Sequence, residues 1–199
     1  MFVAAGKAPR TTTSTVIETQ TVTSIAFVST NFAIVNSSIS NGLELSALIG
    51  PIQASSGQNI TVTAMVTNTL STASKVNATS MTNTVYGPCA QNFATGVDVY
   101  QGNHTIFDLS QGKALLLWDP GLVYSCITAT HYQYLFSPNS DVATRLGSTG
   151  PVVETSVLSG YYSDSGQSHS FSRFSPGVYT VKIFDAWGQA VIGHFEVMA

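Results

Sequence analysis

The sequence predicts an all-β protein: an antiparallel β-sandwich preceded by an extended N-terminal β-arm. Three observations predict it. Short runs of alternating apolar and polar residues recur along the chain between turn residues, and no amphipathic helical period lasts beyond a turn or two. Residues 11–30 are crowded with β-branched Thr, Val and Ile and contain neither Gly nor Pro, so an extended strand is their natural state. Hydrophobic residues make up 44% of the 199, enough to bury a sizeable core.

The arm is assigned to residues 1–40. Ile17 and Ile25 fall in one alternating set and Val22 and Val28 in the other, while 25–28 is apolar on both faces. That pattern suits a strand inserted into a sheet and covered on both sides at its C-terminal half. Ile17, Val22, Ile25, Phe27 and Val28 are therefore the candidate pocket-filling residues of a donor strand. The sandwich is assigned to residues 41–199 as one domain.

Its first strand is expected at 43–49. The clearest is 57–69, with Ile60, Val62, Ala64 and Val66 on one face and Thr61, Thr63 and Thr67 on the other. Segment 71–84 reads as a loop or weak edge strand. Strands are expected near 96–100, 105–109, 113–118 and 122–136, then a loop from 138 to 151 and a strand at 152–158. The end is a hairpin: Pro176-Gly177 opens a strand over 178–184, Asp185–Gly188 turns it, and 189–198 returns with Val191, Phe195 and Val197 alternating.

Composition narrows function. Charged residues make up only 9% of the chain, while Ser and Thr together make up about a quarter, a marked departure from ordinary globular usage. Such uncharged polar surfaces suit exported proteins, and acidic surroundings too, since few carboxylates are present to drive acid unfolding. The net charge is -3 with no basic run, which argues against nucleic acid as a partner. The longest apolar run, 114–118, is far short of a membrane span. The first residues carry neither the basic nor the apolar region of a secretory signal, so export is expected from a start that follows a removed signal or from an unusual one.

Cys89 and Cys126 are read as one disulfide, which in a chain of export-like composition stabilises by about 3–4 kcal/mol. Asn36, Asn59, Asn77 and Asn103 each begin an Asn-x-Ser/Thr sequon and are candidate N-glycosylation sites. N-linked glycans are the only attached groups expected; no cofactor is.

No catalytic motif is found, and the chain reads as a non-enzyme. There is no nucleophile elbow, zinc helix, phosphate loop or dinucleotide fingerprint. His104, His131, His169 and His194 stand singly, without partners at ligand spacing. Cys126 and His131 share the spacing of a copper loop, but no axial Met follows before Met198. Asp98 and Asp108 are expected on neighbouring strands, Asp119 in a turn, and Asp164 in no more than a fragment of a calcium loop. The aromatic residues of the C-terminal half, Tyr124, Tyr132, Tyr134, Phe136, Tyr161, Tyr162, Phe171 and Phe174, read first as core and strand-face packing and second as a sugar-binding face.

Two segments carry a resemblance. The run from Ser56 to Thr69 looks like the second strand of Ig-like domains in archaeal surface proteins, and the run from Phe174 to Val197 looks like their closing hairpin. With the Thr-rich arm, the low charge and the sequons, the whole chain resembles the thread filament subunits of the Sulfolobales. The resemblance implies an Ig-like sandwich, a glycosylated secreted protein at the cell surface, and identical subunits joined head to tail by donor-strand complementation. Adhesion, or contact with other surfaces and glycans, would come with it. The rival reading is a monomeric secreted module that binds sugar or a surface. The arm itself admits two pairings, with a neighbour's sheet or with its own.

Overall fold

The computed structural model describes residues 31–78, 85, 87–110, 112–126, 132–163 and 169–199. The donor-strand candidates Ile17, Val22, Ile25, Phe27 and Val28 lie outside them, as do His131 and Asp164. The described chain is almost entirely β: β1 (Ala33–Asn36), β2 (Leu43–Gly50), β3 (Gln53–Ser55), β4 (Ile60–Asn68), β5 (Ser74–Ala78), β6 (Thr95–Gln101), β7 (Tyr132–Phe136), β8 (Val142–Arg145), β9 (Ser148–Pro151), β10 (Val153–Leu158), β11 (Tyr161–Tyr162), β12 (Phe171–Ser172), β13 (Gly177–Asp185) and β14 (Ala190–Met198).

Alternation builds the sandwich. Leu43, Leu45, Ala47 and Ile49 of β2 and Ile60, Val62, Ala64 and Val66 of β4 are buried on one face of a sheet ordered β1-β2-β4-β10. They meet Val181 and Ile183 of β13 and Val191, Phe195 and Val197 of β14, from a second sheet ordered β3-β14-β13-β6. The sheets approach closely at Gly193, where an added Cβ would collide with Ile49 Cδ1. After Gly50 the chain crosses between the sheets: β2 pairs antiparallel with β4, whereas β3 runs parallel to β14.

A corner at the start of β13 matches this architecture. The Tyr179 hydroxyl donates to Ser175 O at 2.9 Å, four residues upstream, as in the tyrosine corner of Ig-like sandwiches. Its ring stacks on Phe195 at 5.0 Å and meets Phe174 edge-on at 5.0 Å. Tyr179→Phe keeps the stack and removes the bond, and is expected to cost about 1–2 kcal/mol in urea unfolding.

The structure departs from the sequence expectations in five places. Segment 105–109 is not a strand: the Asp108 carboxylate accepts from Thr105 N (3.1 Å) and Thr105 Oγ1 (2.7 Å), which curls the chain into a 3-10 turn, Asp108–Ser110. Asp98 and Asp108 are therefore not on neighbouring strands. Segment 113–118 runs beside β6 without becoming a regular strand, and among the described residues of 122–136 only β7 is extended. The expected loop from 138 to 151 instead holds the β8–β9 hairpin, turned by Leu146 and Gly147 at φ 50° and 83°. Finally, β1 lies inside the segment read as arm. Asn41 and Gly42, both at positive φ, form the two-residue turn that folds it back onto β2.

A third sheet, ordered β5-β7-β8-β9, caps one end of the sandwich. Tyr134 and Phe136 of β7 pack edge-on against Trp187 in the β13–β14 turn, at 5.2 and 5.5 Å. That turn is held by Asp185, whose Oδ1 accepts from Trp187 N and Gln189 N. Gln189 in turn donates to Leu43 O at 2.7 Å and accepts from Ser37 Oγ, tying the closing hairpin to the first one.

Candidate functional site

Two features stand out: a sheet edge that no described strand partners, and an aromatic-walled cleft on the other sheet.

The edge belongs to β10. Val66 N donates to Val152 O at 3.0 Å, which sets the phase of the β10–β4 ladder. Glu154, Ser156 and Leu158 then bond toward β4, and the amides and carbonyls of Val153, Thr155 and Val157 point away from it. Among the described residues no main-chain group meets them. The side chains of Val153 and Val157 are exposed, as are Leu48, Ile34 and Phe32 on the same outer face. Glu154 faces inward: its carboxylate accepts from Ala94 N (2.8 Å), Thr95 N (3.0 Å) and Thr95 Oγ1 (2.6 Å) and so clasps the start of β6 across the sandwich. Burial pushes its pKa up against those bonds.

The corresponding edge of β6 is crossed by irregular chain. Val85 N donates to Val97 O and Leu115 N to Val99 O, at 3.1 and 2.7 Å. At the opposite end of the β10 sheet, β1 begins just after Asn31, whose carbonyl accepts from Ile52 N at 3.0 Å. The sheet order thus puts the point where residues 1–30 join the domain at one edge and the unpaired strand at the other.

The cleft lies on the outer face of β6. Val97 and Val99 point into the core, so Asp98 and Tyr100 point outward, where residues 112–118 cover them. Between these walls and β11 is a cavity of about 620 Å³. A second cavity of about 390 Å³ adjoins it and shares Leu117, Trp118 and Tyr162. Asp98 is only 7% exposed and lines the larger cavity. Burial pushes its carboxyl up to about 7, the nearby Lys182 acting against that rise.

The remaining sequence candidates are placed as follows. Cys89 and Cys126 are disulfide-bonded, joining the 3-10 segment Gly87–Asn92 to the chain before β7. Cys126 is therefore not a thiolate ligand, and the copper reading lapses; the bond also points to an oxidising compartment. Asn59, Asn77 and Asn103 are exposed, whereas Asn36 is half-buried with a shielded Oδ1. His194 Nε2 lies 3.2 Å from His104 O, and His169 Nδ1 lies 3.2 Å from Ser163 O. Among the described residues no three His, Cys, Asp or Glu side chains converge as metal ligands, and no helix is long and apolar enough to cross a membrane. Tyr132, Tyr134, Phe136 and Phe174 are core residues, while Tyr124, Tyr162 and Phe171 sit at the surface of the second sheet.

Sequence reasoning missed the depth of Asp98 and its pairing with Lys182, opposite it in the β6–β13 register. The alternation of 97–100 held the signal that Asp98 faces away from the core, but the cover over that face comes from residues distant in the chain. Compared with known families, curated proteins and solved structures, the chain matches none.

Proposed function

We propose that this chain is a non-enzymatic structural subunit of an extracellular filament, assembled head to tail by donor-strand complementation between identical copies. The observation that carries the reading is the edge of β10, which no described strand partners, on the sheet whose opposite edge, β1, follows soon after residues 1–30 in the chain. A six-residue edge with exposed valines is a template for an added strand, and natural proteins seldom leave one bare. A Thr- and Val-rich segment supplies the ladder bonds and alternating side chains such an edge needs. Donor and acceptor are different surfaces, so repetition gives an open filament instead of a closed ring.

The disulfide and the low charge support a secreted protein at the cell surface. Exposed Asn59, Asn77 and Asn103 are the positions best placed for glycans. The resemblance to Sulfolobales thread subunits points the same way, and adhesion or contact between cells is the role that would follow.

The test is deletion of residues 1–30. Native material is expected to form filaments under negative stain, and the deleted form to stay a folded monomer by light scattering. A synthetic peptide of residues 11–30 is then expected to bind the deleted form and protect the amides of Val153, Thr155 and Val157 from exchange. Polymers formed by the deleted chain would sink the proposal. Exchange protection at those amides in a monomeric full-length chain would place the arm in its own sheet and sink it equally.

A further inference from the structure

The cleft on the second sheet has a chemistry that strand exchange does not use. We infer that the cavity floored by Asp98 and Tyr100 is a binding site for a neutral pyranose, held by hydroxyl hydrogen bonds to the Asp98 carboxyl and by apolar contact of the sugar ring with Trp118 and Tyr162.

The size is suitable: about 620 Å³ lies in the range of small-molecule sites. The polar anchor is present. Asp98 is 7% exposed and lines the cavity. A carboxyl that borders a cavity presents acceptor oxygens to whatever occupies it. Its two oxygens together accept from adjacent hydroxyls, the pattern a pyranose offers. Tyr100, Trp118 and Tyr162 give the aromatic surface that the C–H face of such a ring needs.

Charge selects against other ligands. Lys113 lines the cavity, and Lys182 pairs in register with Asp98, its ammonium 5.1 Å over the Phe184 ring. A cationic ligand meets Lys113 in the cavity wall, and an anionic one meets Asp98. A neutral polyhydroxy ligand meets neither penalty. Burial that holds the carboxyl near pH 7 agrees with a group awaiting hydrogen-bond donors.

The test uses the full chain with four probes: the methyl glycosides of glucose, mannose, galactose and N-acetylglucosamine. Saturation-transfer NMR and calorimetry are expected to find at least one with a Kd of about 1 mM or tighter. Asp98→Asn keeps the shape, relieves a buried charge and so folds, yet is expected to weaken that sugar by roughly tenfold or more. Tyr162→Ala is expected to weaken it comparably, and Thr144→Ala on the third sheet to leave it unchanged. The inference is overturned if none of the four binds more tightly than about 10 mM. It is overturned equally if Asp98→Asn binds as well as the parent, or if binding appears only once residues 1–30 are removed, since the cavity would then belong to the arm. Polymer formation is read separately, so these results leave the filament proposal untouched.

Discussion

Replacing Phe195 by alanine is expected to destabilise the domain by about 4 kcal/mol, the largest loss from any single side chain considered. Phe195 sits on β14, 1% exposed, at the centre of the inter-sheet core. Its ring stacks on Tyr179 at 5.0 Å with 10° between planes and meets Phe174 edge-on at 5.3 Å. Truncation removes the transfer free energy of a phenyl ring and leaves a void between two sheets whose ladders hold them apart, so the site collapses poorly. Against a total of about 5–15 kcal/mol for a typical domain, such a loss is a large part of the whole. Phe195→Leu, which fills most of the volume, is expected to cost about a third as much. Urea titrations at constant slope measure both. A loss below about 1 kcal/mol for the alanine variant would remove the aromatic stack from its place as the centre of the core.

The domain is also expected to gain stability as pH falls from 7.5 to 4.5, the reverse of ordinary acid unfolding. Asp98 and Asp185 are raised by burial from 3.8 to about 7 and about 6, and Glu154 is raised as well. In the unfolded chain these groups ionise near pH 4. Between those values the folded state holds protons that the unfolded state has released. Stability therefore falls as pH rises through the window and is greatest below it. Asp98 alone contributes up to about 4 kcal/mol to this slope. His194 acts in the opposite sense, since burial lowers its pKa and acid favours its unfolded, protonated form. It offsets part of the gain below about pH 6.5. Urea midpoints across the range test the balance: Asp98→Asn is expected to raise the midpoint at pH 7.5 and flatten the profile. A wild-type midpoint that drops steadily from pH 7.5 to 4.5 would falsify the expectation. The same substitution removes the proposed sugar contact, so stability at neutral pH and binding are expected to move in opposite directions.

Legibility of the sequence followed the range of the interactions. The 57–69 strand and the closing hairpin were readable because one face of each is buried and the other is wet, which imposes period two on the residues themselves. The hairpin of β1 and β2 was announced by Asn41-Gly42, a strong turn signal that lay just past the assigned end of the arm. The β8–β9 hairpin had no comparable mark. Leu146 holds a left-handed conformation that leucine does not advertise, and Val142, Thr144 and Thr149 sit in a strongly polar stretch. Segment 105–109 has β-forming residues, and a single carboxylate turned it into a 3-10 bend.

By itself the sequence determined that this chain is built of strands, that one face of each principal strand is a core face, and which residues turn the last hairpin. These properties follow from local alternation and backbone preference. The tertiary structure alone decided which strand was left at an edge, and that Asp98 lies deep under residues 112–118 opposite Lys182. The pairing of Cys89 with Cys126, already read from the sequence, is realised there as well. Each of those facts depends on pairing between residues far apart in the chain, where sheet order and register choose among partners that local pattern leaves equivalent.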